Sequence, residues 1–156
     1  MSTQSPQERF ASLAAELTAW LRGRPIDDAL ADELNRVFPP ESALFSELAL
    51  VCNAGLDAGW LGNRGDTPLR YGRAIKPGPD TQGFSVDVVL MTNVAGPEHT
   101  HPAGEIDMVM PIDATAKFDG YGAGWVVFEP GSVHTPTVAG GSAAVLYCLP
   151  DGAIRF

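Results

Sequence analysis

The sequence predicts a mainly β domain, a small sandwich or barrel, behind an N-terminal segment of about three helices. Two observations carry this. Apolar residues recur at helical spacing through roughly the first sixty positions, whereas from Phe84 onward they fall in short β-branched runs cut by turn residues. The chain also holds 17 Gly and 13 Pro in 156 residues, a density of turn formers that suits many short strands. With 45% apolar and 19% charged residues it has the material for one core and one domain. The expected division is a helical segment over 1–60, packed on a barrel over 61–156.

Ser5-Pro6-Gln7-Glu8 is a capping box with proline at the first helical position. Phe10, Leu13, Leu17, Trp20 and Leu21 then form one stripe, which Gly23 and Pro25 end. A second helix fits Asp27 to Phe38, with Leu30, Leu34, Val37 and Phe38 on one side and Pro39-Pro40 as its stop. A third fits Ser42 to about Asn53, with Leu44, Leu48, Val51 and Cys52 facing inward. These stripes cover one face of the domain or form a subunit contact, and a homodimer is expected. Residues 60–83 read as a long loop or a few short edge strands. Strands are expected at Phe84–Val94, Glu105–Pro111, Trp125–Phe128, Val133–Val138 and Ala143–Leu149, with Trp125 and Phe128 as core or pocket wall.

The charge balance excludes several functions. Ten Lys and Arg against 19 Asp and Glu give a net charge of −9, which offers no basic surface to nucleic acid or to an anionic membrane. No apolar run approaches the ~20 residues that span a bilayer, and the N-terminus lacks the apolar core of a signal peptide. A cytoplasmic protein is expected. Cys52 and Cys148 form no CxxC and read as buried free thiols of a reducing compartment. One local reversal of sign stands out. Arg64, Arg70, Arg73 and Lys76 lie within thirteen positions of a strongly acidic chain. They form either a solvated loop or a segment in which an arginine grips a carboxylate with two parallel hydrogen bonds.

Chemistry concentrates in His99-Thr100-His101-Pro102-Ala103-Gly104-Glu105 and Pro130-Gly131-Ser132-Val133-His134. Histidines at i and i+2 of an extended segment point the same way. Glu105 adds a hard oxygen after a turn, and a neighbouring strand can bring His134 alongside. The chain has only 3 histidines and all fall in these two segments. Three imidazoles and a carboxylate suit a divalent transition metal, with Fe, Mn, Zn, Ni and Co all acceptable. Four protein ligands leave an octahedral ion two open positions, as a catalytic site requires.

HxHxxxE followed by PGxxH resembles the two motifs of the cupin superfamily. The resemblance implies a small jelly-roll barrel holding one metal ion through His99, His101, Glu105 and His134. Asn93 stands where the first motif usually has glycine, Pro130 lies one residue late, and Val138 replaces a frequent asparagine. Across a longer stretch, HTHPAGEIDMVMP, AKFDGYGAGWVVFEPGSVH and AVLYCLPDGAI resemble the small cupin-type 4-hydroxylaminobenzoate lyases. That family turns 4-hydroxylaminobenzoate into 3,4-dihydroxybenzoate (protocatechuate) and ammonia in nitroaromatic breakdown. The resemblance implies a metal-dependent carbon–nitrogen lyase acting on a small anionic aromatic substrate. Glu105, Asp107, Tyr121 and Tyr147 are the candidate proton-transfer groups, Asp107 because it shares the parity of Glu105 along its strand. Arg64, Arg70, Arg73 and Trp125 are the candidate substrate contacts. Two alternatives stay open: another metal-dependent cupin enzyme, such as an oxygenase or isomerase, and a non-catalytic small-molecule binder. No GxGxxG fingerprint points to a dinucleotide.

Overall fold

A computed structural model describes residues 4–156, and residues 1–3 of the helical segment lie outside the described residues. Three helices come first: α1 (Pro6–Leu21), α2 (Asp28–Val37) and α3 (Ala43–Ala58). Nine strands follow: β1 (Arg64–Asp66), β2 (Leu69–Ile75), β3 (Phe84–Ala95), β4 (His99–His101), β5 (Glu105–Pro111), β6 (Lys117–Phe118), β7 (Gly124–Phe128), β8 (Ser132–His134) and β9 (Thr137–Pro150). Among the described residues no helix is long and apolar enough to cross a membrane.

Each helix starts on the side chain the sequence offers. Ser5 and Glu8 exchange both capping-box hydrogen bonds, at 3.1 and 3.2 Å. Asp27 accepts from the Leu30 amide at 3.0 Å and is thereby the cap of α2 rather than its first residue. Helix α3 runs past the expected end near Asn53. Gly55 lies inside the helix, where a Cβ would come within 2.6 Å of the Leu61 side chain. The helix ends instead at Gly59, in the left-handed region at φ 85°.

The main sheet is antiparallel in the order β1-β2-β3-β9-β5-β7, with β6 also on β9. A separate two-stranded ribbon pairs β4 with β8. Two expected strand boundaries move. His134 closes β8, and Thr137–Pro150 forms one continuous strand instead of two. Glycines 140 and 141, at φ 82° and 131°, bend that strand without ending it. Opposite them Asn93 takes φ 43°, and its side-chain oxygen accepts the Gly141 amide at 3.0 Å. Asparagine tolerates the left-handed region, so it serves at the position where the resembled motif has glycine.

Period-two alternation gives the sheet two different faces. Val86 and Val88 of β3, Ile106, Met108 and Met110 of β5, and Ala144, Leu146 and Cys148 of β9 face the helices in one core. Val89 and Met91, Glu105 and Asp107, and Val145 and Tyr147 face the other way and line a cavity. Cys52 and Cys148 are buried free thiols in the helix-side core, and burial pushes Cys52 up to about 12. Trp125 also packs on the helix side. Its indole N–H donates to the Phe38 carbonyl at 2.7 Å, and its ring meets Phe45 edge-on at 5.9 Å.

Helix α2 closes the free edge of β7. The Asn35 amide donates to the Trp125 carbonyl at 3.0 Å and accepts from its N–H at 2.9 Å, as a neighbouring strand's peptide would. Asn35→Ala leaves both buried groups unpaired. It is expected to lower unfolding free energy by about 2 kcal/mol, read as a lower denaturant midpoint at unchanged slope. An unchanged midpoint would show that water replaces the amide.

Candidate metal centre and active site

The β4–β8 ribbon assembles the histidines. Its register sets His99 opposite His134 and His101 opposite Ser132, so alternation puts all three imidazoles on one side. Gly131, at φ 85°, donates its N–H to the His101 carbonyl at 2.7 Å and locks the PGxxH turn onto the HxH segment. Gly104, at φ 89°, then swings the chain off the ribbon into β5; a Cβ there would stand 3.0 Å from the Phe128 carbonyl oxygen. Glu105 is the first residue after that turn and points back at the histidines.

The four side chains converge. His101 Nε2 lies 3.1 Å from His99 Nε2, 2.9 Å from His134 Nε2 and 3.2 Å from Glu105 Oε2. His134 Nε2 is 3.8 Å from the same carboxylate oxygen. The far sides of two rings fix their tautomers. His99 Nδ1 is 2.9 Å from the Pro97 carbonyl and His134 Nδ1 is 2.8 Å from Asp119 Oδ2. Both partners only accept, so each Nδ1 carries the proton and each Nε2 turns a lone pair inward. His101 is fully buried, and its Nδ1 has no hydrogen-bond partner. Its one ring proton cannot satisfy three acceptors crowded around Nε2. A cation among these atoms would satisfy all of them, and the donor set fits a divalent transition metal. The ligand atoms of His99, His101 and His134 all lie within 4.8 Å of one another, close enough to hold one ion.

Burial sets the charge states of the rings and acids. His101 is pushed down to about 3, first by desolvation and then by His99 and His134, which keeps its ring neutral and ready to ligate. His99 moves down for the same leading reason. Glu105 moves up because it is buried. Asp107 rises well above the ordinary carboxylate range through burial and then the neighbouring charge of Glu105.

A cavity of about 390 Å³ opens against this cluster. His99, His134, Glu105, Asp107 and Tyr147 supply polar wall; Leu69, Val89, Met91, Phe118 and Val145 supply apolar wall. Tyr147 of β9 is flanked in register by Asp87 of β3 and Asp107 of β5. Burial, then these acids, push its phenol upward.

The structure gathers Glu105, Asp107 and Tyr147 at the histidines but not the other expected residues. Tyr121 is 55% exposed in a turn and does not line the cavity. Trp125 lies on the helix side of the sheet. Arg70 donates to the carbonyls of Leu56, Leu61 and Gly62 at 2.9, 3.3 and 3.0 Å, so its guanidinium caps the end of α3. Arg73 pairs with buried Asp87 at 3.0 Å, and Arg64 is exposed on β1. Among the described residues lining the cavity there is no Lys or Arg. The cluster that reads as an anion clamp is therefore structural at Arg70 and Arg73.

Sequence reading missed Asp119. Its Oδ1 accepts the Thr137 amide at 2.8 Å while Oδ2 holds His134, and its own backbone sits at φ 49°. It lies in the same DGYGAG turn as Tyr121, and no fixed spacing to His134 announces it.

A family model described as 4-hydroxylaminobenzoate lyase (PnbB) matches residues 12–156. The chain belongs to the 4-hydroxylaminobenzoate lyase family. A 4-hydroxylaminobenzoate lyase of Nocardioides sp. (strain LMS-CY) is 33% identical over 145 residues, 87% of this chain and 86% of that protein. One of Pseudomonas putida is 27% identical over 96% of this chain and 95% of its own length. Among solved structures, the DMSP lyase DddQ of Ruegeria pomeroyi DSS-3 superposes with a TM-score of 0.53 over 95% of both chains at 18% identity, a likeness of fold. An RmlC-like cupin protein of Ralstonia eutropha JMP134 overlaps 55% of the chain at a TM-score of 0.41. The fold is mainly β and antiparallel with a helical N-terminal segment, and DddQ shares it over nearly its whole length.

Asp119→Ala is expected to weaken divalent-metal affinity by about tenfold to a hundredfold, read by competition with a chelator. Affinity equal to wild type would reduce Asp119 to a loop tie. Arg70→Ala is expected to lower stability by about 2 kcal/mol while leaving KM unchanged. A raised KM at unchanged stability would restore the anion-clamp role.

Proposed function

We propose that this protein is a metal-dependent lyase that converts 4-hydroxylaminobenzoate and water to 3,4-dihydroxybenzoate and ammonia. The observation that carries the reading is the convergence of three inward Nε2 atoms and Glu105 Oε2 on a cavity of about 390 Å³, with room for a substituted benzene ring, in a chain of this family. His99, His101, His134 and Glu105 would hold the ion. A bound divalent ion supplies Lewis acidity that polarises the N–O bond and lowers the pKa of bound water.

The chain's own groups supply the rest. Leu69, Val89, Met91, Phe118 and Val145 sandwich the ring and exclude bulk water. Atoms balance when the hydroxylamino oxygen leaves as water, one water adds to the adjacent ring carbon and another displaces nitrogen as ammonia. The nitrogen is reduced at the ring's expense, so no external reductant or oxygen is consumed. Tyr147, standing between Asp87 and Asp107 on the cavity wall, donates the proton to the departing oxygen. The Tyr147 phenolate then takes a proton back from the water that adds, with Asp107, a carboxyl that burial holds toward its protonated form, beside it. The inner wall has no Lys or Arg to pair with an anion, so the substrate carboxylate points away from Glu105 and Asp107, toward the mouth where Tyr71 is exposed.

Metal-loaded protein without oxygen or reductant is expected to yield protocatechuate and ammonia in equal amounts. Oxygen uptake, or loss of substrate without both products, would contradict the reaction and favour an oxygenase. Tyr147→Phe is expected to lower kcat by about a hundredfold with little change in KM. Wild-type kcat would remove Tyr147 from proton transfer.

A further inference from the structure

We propose that residues Ile154–Phe156 form a strap that builds the outer wall of the substrate cavity, and that Ile154 and Phe156 are specificity-determining residues for an aromatic ring. The inference rests on the reading that this cavity takes an aromatic carboxylate. After β9 the chain reverses at Asp151 and Gly152, both in the left-handed region at φ 54° and 66°. The Asp151 amide donates to the Gly83 carbonyl at 2.9 Å, and Arg73 donates to the Gly152 carbonyl at 3.3 Å. Arg155 then exchanges two backbone hydrogen bonds with Thr100, at 2.7 and 2.9 Å. The strap is in effect a third strand on the β4–β8 ribbon.

This pairing dictates which side chains meet. Residues flanking an antiparallel pair point to the opposite side from the pair itself. His99 and His101 flank Thr100; Ile154 and Phe156 flank Arg155. The two apolar side chains therefore share a face with the metal-binding imidazoles, while Arg155 points away. The Phe156 ring stands 5.5 Å from the His99 ring at 61°, and both Ile154 and Phe156 line the cavity. Phe156 nevertheless remains 78% exposed. A large apolar ring held at the mouth of an apolar cavity gains burial when an aromatic ligand enters beside it.

The test uses the full chain loaded with metal and two readouts: the Kd for 4-aminobenzoate, which lacks the N–O bond, and steady-state turnover of 4-hydroxylaminobenzoate. Phe156→Ala and Ile154→Ala are each expected to raise the Kd and KM about tenfold while kcat and metal content hold. Phe156→Tyr, which keeps the ring, is expected to retain the wild-type Kd. A Kd unchanged in both alanine variants would overturn the proposal. So would wild-type protein that does not bind 4-aminobenzoate, or alanine variants that lose metal in step with affinity. Failure of the lyase reading looks different: 4-aminobenzoate binds and responds to the substitutions, but no protocatechuate forms.

Discussion

The antiparallel pairing of β4 with β8 is the constraint on which the site depends. Two three-residue strands contribute little burial themselves, yet their register alone decides that His99 faces His134 and that His101 shares their side. A one-residue slip would send the histidines to the other face. The ribbon is held by the Gly131 amide on the His101 carbonyl, by the Pro97 carbonyl on His99 and by Asp119, which ties His134 to the start of β9. These contacts orient lone pairs as well as rings, since a neutral imidazole ligates only through the nitrogen that lacks a proton.

The main sheet divides labour between its faces. Toward the helices it offers apolar side chains, apart from Arg70 at the end of α3, and stability comes from their burial. Toward the cavity it offers a polar row that runs across four strands in register, from Arg73 through Asp87 and Tyr147 to Asp107. Burying that many titratable groups is unfavourable unless each is paired or used in chemistry. Arg73 and Ser85 meet Asp87. The oxygens of Asp107 find no hydrogen-bond partner beyond the neighbouring carboxyl of Glu105. Groups left unsatisfied in this way concentrate where a ligand completes them.

Local signals were legible in the sequence and long-range ones were not. Caps, proline stops and the period-two alternation of EIDMVMP locate α1, α2 and β5 closely, because each rests on residues within one turn or one strand. The histidines were legible through their scarcity and spacing. The last turn of α3, past Asn53, was not legible because it packs on Leu61, which only the folded chain brings against Gly55. The arginine cluster misled for a related reason. Sequence shows a local excess of positive charge but not the carbonyls of α3 or the buried Asp87 that absorb it. Asp119 and the strap were invisible, since each acts on a residue that only the folded chain brings near.

The proposed chemistry requires a single ion held by three imidazoles and one carboxylate. X-ray absorption spectroscopy of the metal-loaded protein tests this most directly. It should show a first shell of nitrogen and oxygen only, with the outer-shell scattering of three histidine rings. A spectrum that requires sulfur, or that is fitted without imidazole, would contradict it.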